Sequence, residues 1–161
     1  MSVVLIFGTL AVGLFISAYI TKRRFGLLGL ALAAGSILSG LWSYDADLVV
    51  GATGLFPSGP LTTAITLSLI VMLPAGILLF HGYTYKSALG RIVGALLFTL
   101  LSLAFLVEPL SHTLTLEGFG IDVYNQLLNN KDLIIGVGLI LAVVDLFLTK
   151  PAHLANKKSK H

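Results

Sequence analysis

The amino-acid sequence predicts an all-α fold: a polytopic membrane bundle of five transmembrane helices with one short amphipathic helix on the outer surface. Three observations predict it. Five apolar runs each approach the ~20 residues that a helix needs to cross a hydrocarbon core of about 30 Å. The 161-residue chain is 57% apolar and only 11% charged, with mean hydropathy +0.99, whereas soluble domains carry about 25% charged residues. The loops between the runs also divide by charge. With five alternating crossings, nine of the ten Lys and Arg residues fall on one side: Lys22, Arg23, Arg24, Lys86, Arg91, Lys150, Lys157, Lys158 and Lys160. Six of the seven acids fall on the other: Asp45, Asp47, Glu108, Glu117, Asp122 and Asp132. Basic residues near helix ends are retained in the cytoplasm, so the split orients the chain with its N-terminus outside and its C-terminus inside.

The first span is read as Val3 to Ile20, an uncleaved anchor. It has no basic n-region, it is longer than a signal-peptide core, and no small-residue cleavage site precedes TKRR. Span two, Phe25 to Trp42, follows after four residues, so the two form a tight antiparallel hairpin. Within it Gly29, Ala33, Ser36 and Gly40 recur at three- and four-residue spacing, with Ala31 and Gly35 on a neighbouring strip. Small residues so placed let helices approach closely in lipid, where packing drives association, either within the bundle or in a homodimer. The segment SYDADLVVGATGLFPSGP then reads as a partly embedded loop or a short interfacial helix.

Span three, Leu61 to Phe80, carries Pro74, which frees the carbonyl of Ile70 and predicts a kink. The loop HGYTYKS leads to span four, Ala88 to Val107, where Gly90 and Gly94 lie one turn apart as packing residues. The next connection contains Ile121, Tyr124, Leu127 and Leu128 at helical spacing beside Asp122, Asn125 and Gln126, the pattern of an amphipathic helix lying on the outer surface. Span five, Leu133 to Thr149, stops at Lys150-Pro151. Residues 1–151 form one transmembrane domain, and 152–161 a basic cytoplasmic tail.

Ionisable residues inside spans are the natural place to look for function, since a charge at mid-bilayer costs about 2.5–3.5 kcal/mol on insertion scales. Asp145 in span five and Arg91 in span four lie at similar depth and are expected to form an intramembrane ion pair. No Cys is present, which excludes disulfides and thiolate chemistry. Intramembrane His and carboxylate residues share no helix face at three- or four-residue spacing, so neither a metal site nor a haem site is expected. There is no phosphate loop, G-x-S-x-G elbow or HExxH, so no catalytic residue and no cofactor are expected. The net charge of +3 sits in juxtamembrane clusters, which fit anionic lipid at the cytoplasmic face better than nucleic acid.

The hairpin AYITKRRFGLLGLALAAGSILSG resembles the opening of the colicin V production protein family, with its basic turn followed by a small-residue-rich second helix. SALGRIVGALLFTLLSLAFLVEPL resembles that family's fourth helix, and the loop from Pro109 to Lys131 falls where its amphipathic tail lies. Together these cover about half the chain. An Asp common near the start of the family's first helix is absent here, and a fifth span exceeds its usual four. The resemblance implies a small bacterial inner-membrane protein, linked to peptide-toxin export and envelope maintenance, with no catalytic residue. A small non-enzymatic membrane protein is therefore the first reading: an accessory factor for export or the envelope, or a subunit of a larger membrane complex. A small transporter or channel is the alternative, on the strength of the Pro74 kink, the embedded-looking loop around Gly51 to Pro60 and the intramembrane charges Arg91 and Asp145.

Overall fold

The computed structural model of the chain describes residues 3–53, 59–111 and 119–148. These form six helices: α1 (Val3–Thr21), α2 (Phe25–Thr53), α3 (Pro60–Phe80), α4 (Ala88–Ser111), α5 (Phe119–Asn129) and α6 (Lys131–Phe147). Three stretches are both long and apolar enough to cross a membrane: Phe25–Ser43, Pro60–Phe80 and Ala88–Leu110. A fourth candidate is the α5–α6 pair, bent by 57° at Asn130, while Leu5–Thr21 is apolar but shorter. Thr149 and the 152–161 tail lie outside the described residues.

Two elements differ from the sequence reading at the same end of the bundle. The segment read as a loop or separate interfacial helix begins as a continuation of α2, which runs 29 residues to Thr53 and so extends about 43 Å. SYDADLVVGAT contains no proline and only one glycine before Thr53, so nothing in it interrupts the backbone ladder; GLFPSGP supplies the first dense cluster of breakers. Residues 54–58 of that segment are not described. α4 likewise passes Glu108 and reaches Ser111, with Pro109 in its last turn, where a missing N–H removes a single helical bond. α3 starts on Pro60, whose fixed φ suits a first turn, and continues through Pro74 as one helix.

α2 and α4 are the central helices. In their apolar windows 44% and 50% of residues are buried, against 17% in α3. α2 packs on α3, α6 and α4, and α4 packs also on α1, α3 and α6. The core between them is built from Phe25, Leu28, Leu32, Phe98, Leu101 and Leu106, each 2% exposed or less. The buried side of α2 follows Leu28, Leu32, Gly35 and Ser39. Gly29 belongs to it and faces Ala142 and Leu101, whereas Ala33 and Ser36 are half-buried and Gly40 is exposed with nothing near it. The closest helix approach is therefore at Gly35, where a Cβ would overlap the backbone carbonyl of Val71 on α3. Gly90 and Gly94 make room for a loop side chain, the ring of Tyr85, and not for a neighbouring helix.

Contacts between helices mark the two ends of the bundle. At the basic end, Tyr19 of α1 meets Arg91 of α4, and Asp145 of α6 meets Gly26 of α2. At the acidic end, Phe7 of α1 packs on Val107 of α4 and Tyr124 of α5, and Lys131 of α6 reaches Glu108 of α4. α5 crosses that end with Tyr124 buried and Asp122, Asn125 and Gln126 exposed, which separates its apolar and polar faces.

Candidate functional site

The densest polar structure lies at the basic end, where the α1–α2 and α3–α4 loops join. α1 ends as the Lys22 N–H bonds to the Ala18 carbonyl at 3.1 Å, and Lys22 then takes a left-handed φ of 57°. That conformation costs a non-glycine residue about 1 kcal/mol or more, so its surroundings must hold it. They do so with a short antiparallel pairing of Arg23 with Thr84. The Arg24 N–H donates to the Tyr83 carbonyl at 3.1 Å, and the Tyr85 N–H to the Lys22 carbonyl at 2.8 Å.

Arg23 binds the end of α3. Its Nε donates to the Leu79 carbonyl at 2.9 Å, Nη2 to Phe80 at 2.6 Å and Nη1 to Gly82. These carbonyls sit at and just beyond the helix terminus, where partners within the helix run out and the dipole favours a cation. Gly82 permits the turn, with φ of 130°.

Arg24 and Asp145 join α2 and α6 to the loop between α3 and α4. The Arg24 guanidinium lies 5.3 Å from the centre of the Tyr85 ring, and its Nη2 is 3.9 Å from Asp145 Oδ1. Asp145 Oδ2 accepts the Gly26 N–H at 2.9 Å, and the Tyr85 hydroxyl accepts the Phe25 N–H at 3.1 Å. Two first-turn N–H groups of α2, which have no partner inside their own helix, are thus capped by α6 and by the 81–87 loop. Only a glycine fits at position 26, since a Cβ there would come within 2.5 Å of the Ala142 carbonyl oxygen. Burial pushes the Tyr85 hydroxyl above its ordinary pKa of 10.0; the neighbouring Asp145 carboxylate adds to the rise, while the Phe25 N–H and the Arg24 charge oppose it.

The expected Arg91–Asp145 pair is corrected by this geometry. The arginine paired with Asp145 is Arg24. Arg91 instead stands over the ring of Tyr19, 5.3 Å from its centre. The first turn of α4 presents Arg91 to α1, and the ring of Tyr85 fills the space beside Gly90 and Gly94. Sequence reasoning took Arg23, Arg24 and Tyr85 for topology signals and loop. The available signal was the pairing of two short polar loops at one end of an antiparallel bundle, with an acid one turn from the end of the last span.

At the acidic end the Lys131 Nζ lies 2.9 Å from Glu108 Oε2, with Glu108 70% exposed. Among the described residues no three His, Asp or Glu side chains gather as metal ligands. Two surface hollows are apolar: one of about 380 Å³ beside Leu5, Gly8, Thr9 and Val12, and one of about 190 Å³ between α4 and α6. What the basic-end cluster does chemically is fasten helices: each hydrogen bond described for Arg23, Tyr85 and Asp145 joins parts of the chain distant in sequence. Comparison with family models, with curated proteins and with solved structures finds no match.

Proposed function

We propose that this chain is a small non-enzymatic integral membrane protein with five spans, N-terminus outside and C-terminus in the cytoplasm of a bacterial cell. In this reading it serves as an accessory factor in export or envelope maintenance, or as a subunit of a larger membrane complex. One observation carries the membrane part. The charge split has two exceptions, Asp145 among the bases and Lys131 among the acids, and each is a member of an ion pair within the bundle. Five crossings are supported by α1, short but packed along α4 from Phe7 to Tyr19, and by α6, which meets α4 at the acidic end through Lys131 and α2 at the basic end through Asp145. The process, export or envelope maintenance, rests on the resemblance of the first hairpin and of residues 87–110 to the colicin V production family. Its inner-membrane location rests there too.

The orientation is tested with single cysteines at the exposed positions Lys86 and Gln126. An impermeant maleimide added to intact cells should label Gln126→Cys and spare Lys86→Cys until the membrane is opened. The reverse pattern overturns the orientation, and labelling of both from outside overturns the span count. Purification in mild detergent addresses the role: a strictly monomeric particle without a co-purifying protein would count against a complex subunit.

A further inference from the structure

Arg91 alone of the three arginines at the basic end has a side chain with neither a hydrogen bond nor an ion pair to a described residue. Arg23 is bound to three carbonyls and Arg24 is paired with Asp145, yet the guanidinium of Arg91 donates to no acceptor among the described residues. Arg91 is half-buried, with its guanidinium carbon 5.3 Å from the centre of the Tyr19 ring, and that ring stacks in turn on Phe15 at 6.1 Å. A guanidinium attracted to an aromatic face in this way still has its N–H donors available for an oxyanion. Lys22 and Lys86 belong to the two loops that meet at this end, since the Lys22 carbonyl accepts the N–H of Tyr85, the residue before Lys86. Both lysines are exposed, and neither ammonium group is bonded to a described residue. The acid nearest this face, Asp145, is turned to Gly26 and Arg24.

We infer that Arg91, Lys22 and Lys86 form a binding site for the phosphate of an anionic phospholipid at the inner ends of α1 and α4. The site deepens the membrane reading above and rests on it for the word inner, but its chemistry does not depend on which way the chain faces. A lipid, not a free phosphate, is the occupant because the charges adjoin apolar helix surface. Ile20 follows Tyr19 and Ile92 follows Arg91, and both are exposed, at 67% and 41%. An acyl chain can lie on that surface while its headgroup meets the guanidinium. The first turn of α4 adds the positive end of its dipole.

The test is a titration of the purified full chain in neutral detergent with phosphatidylglycerol, phosphatidylcholine or inorganic phosphate, read by native mass spectrometry and by melting temperature. Phosphatidylglycerol should bind in preference to phosphatidylcholine and raise the melting temperature, with both effects weakened by salt. Arg91→Gln should weaken phosphatidylglycerol about fivefold, and Lys22→Gln with Lys86→Gln about as much per charge removed. The lysine pair is exposed, so that variant keeps its fold and isolates the charge effect. Arg91→Lys should lose part of the affinity by losing the guanidinium. Equal binding of both lipids overturns the site, as does unchanged phosphatidylglycerol affinity in the lysine double variant and in Arg91→Gln. Inorganic phosphate acting as strongly as the lipid overturns the lipid as occupant. Because binding is read in detergent, these outcomes stand apart from the cysteine labelling that tests orientation.

Discussion

Asp145 makes two kinds of contact at once, a hydrogen bond from the α2 backbone at Gly26 and an ion pair with Arg24, and both side chains of the pair are less than one-fifth exposed. Removing one member of such a pair leaves the other charge poorly solvated, which typically costs about 3 kcal/mol or more. Asp145→Ala should therefore lower the melting temperature more than Arg24→Gln, because it also uncaps α2. Combined with Arg24→Gln it should be non-additive by about 0.5 kcal/mol or more, and combined with Arg91→Gln additive within about 0.5 kcal/mol. The reverse result would restore the Arg91 pairing that depth alone suggests. Tyr85 supplies a pH signature. Its folded pKa lies above the ordinary 10.0, so the stability it contributes is complete below pH 10 and is lost as pH rises through the folded value. Melting temperature should fall more steeply on the alkaline side in the wild type than in Tyr85→Phe, which starts lower for want of the Phe25 bond and lacks that titration. That Asp145 and Arg91 both belong to the basic end was legible, because it follows from counting residues along each helix. Which neighbour each would face was not, since it depends on helix rotation and on where a loop tyrosine rests.

Among the elements, α2 shows how much of a packing face a spacing rule can locate. Small residues at three- and four-residue intervals mark it correctly as an interior helix. They do not choose between the strip through Ala33, Ser36 and Gly40 and the strip through Ala31 and Gly35, because a 29-residue helix of mostly apolar residues has only a weak preference for one face. α3 decides: its backbone at Val71 comes against Gly35, and the outer part of α2 turns Gly40 away from the core. Gly35→Ala should cost about 1–3 kcal/mol through forced separation of α2 and α3, while Gly40→Ala should be neutral or slightly stabilising. Thermal melts of the two variants in one detergent check the pair, and equal losses would show that the strip is misplaced. The bounds of α3 and the start of α4 were readable from Pro60 and from the polar loop HGYTYKS. The extension of α2 past Trp42 was not, because the acids Asp45 and Asp47 look like a helix exit and in fact sit on a helix that goes on to Thr53.

At the scale of the molecule, the split of charges is legible from the sequence in full, and its two exceptions needed three dimensions to explain. The contacts at the basic end also impose a schedule on synthesis. Arg23 leaves the ribosome well before its acceptors, which lie 56 to 59 residues further along the chain, and the cap on Gly26 comes from a residue 119 positions later. If the chain spans the membrane as proposed, the first hairpin enters the bilayer with its turn unsatisfied. It gains its carbonyl partners when the second hairpin arrives, and its last cap only when α6 is made. A chain halted after Asn129 should insert and yet be short-lived in a pulse-chase experiment, with Asp145→Ala intermediate between it and the whole protein. If the halted chain proved as long-lived as the whole, the clasp would have no part in quality control. Rapid loss of the halted chain would instead make the final helix a mark of completion for the cell: proteolytic surveillance need only recognise an open turn at residues 22–26 to tell an unfinished copy from a finished one.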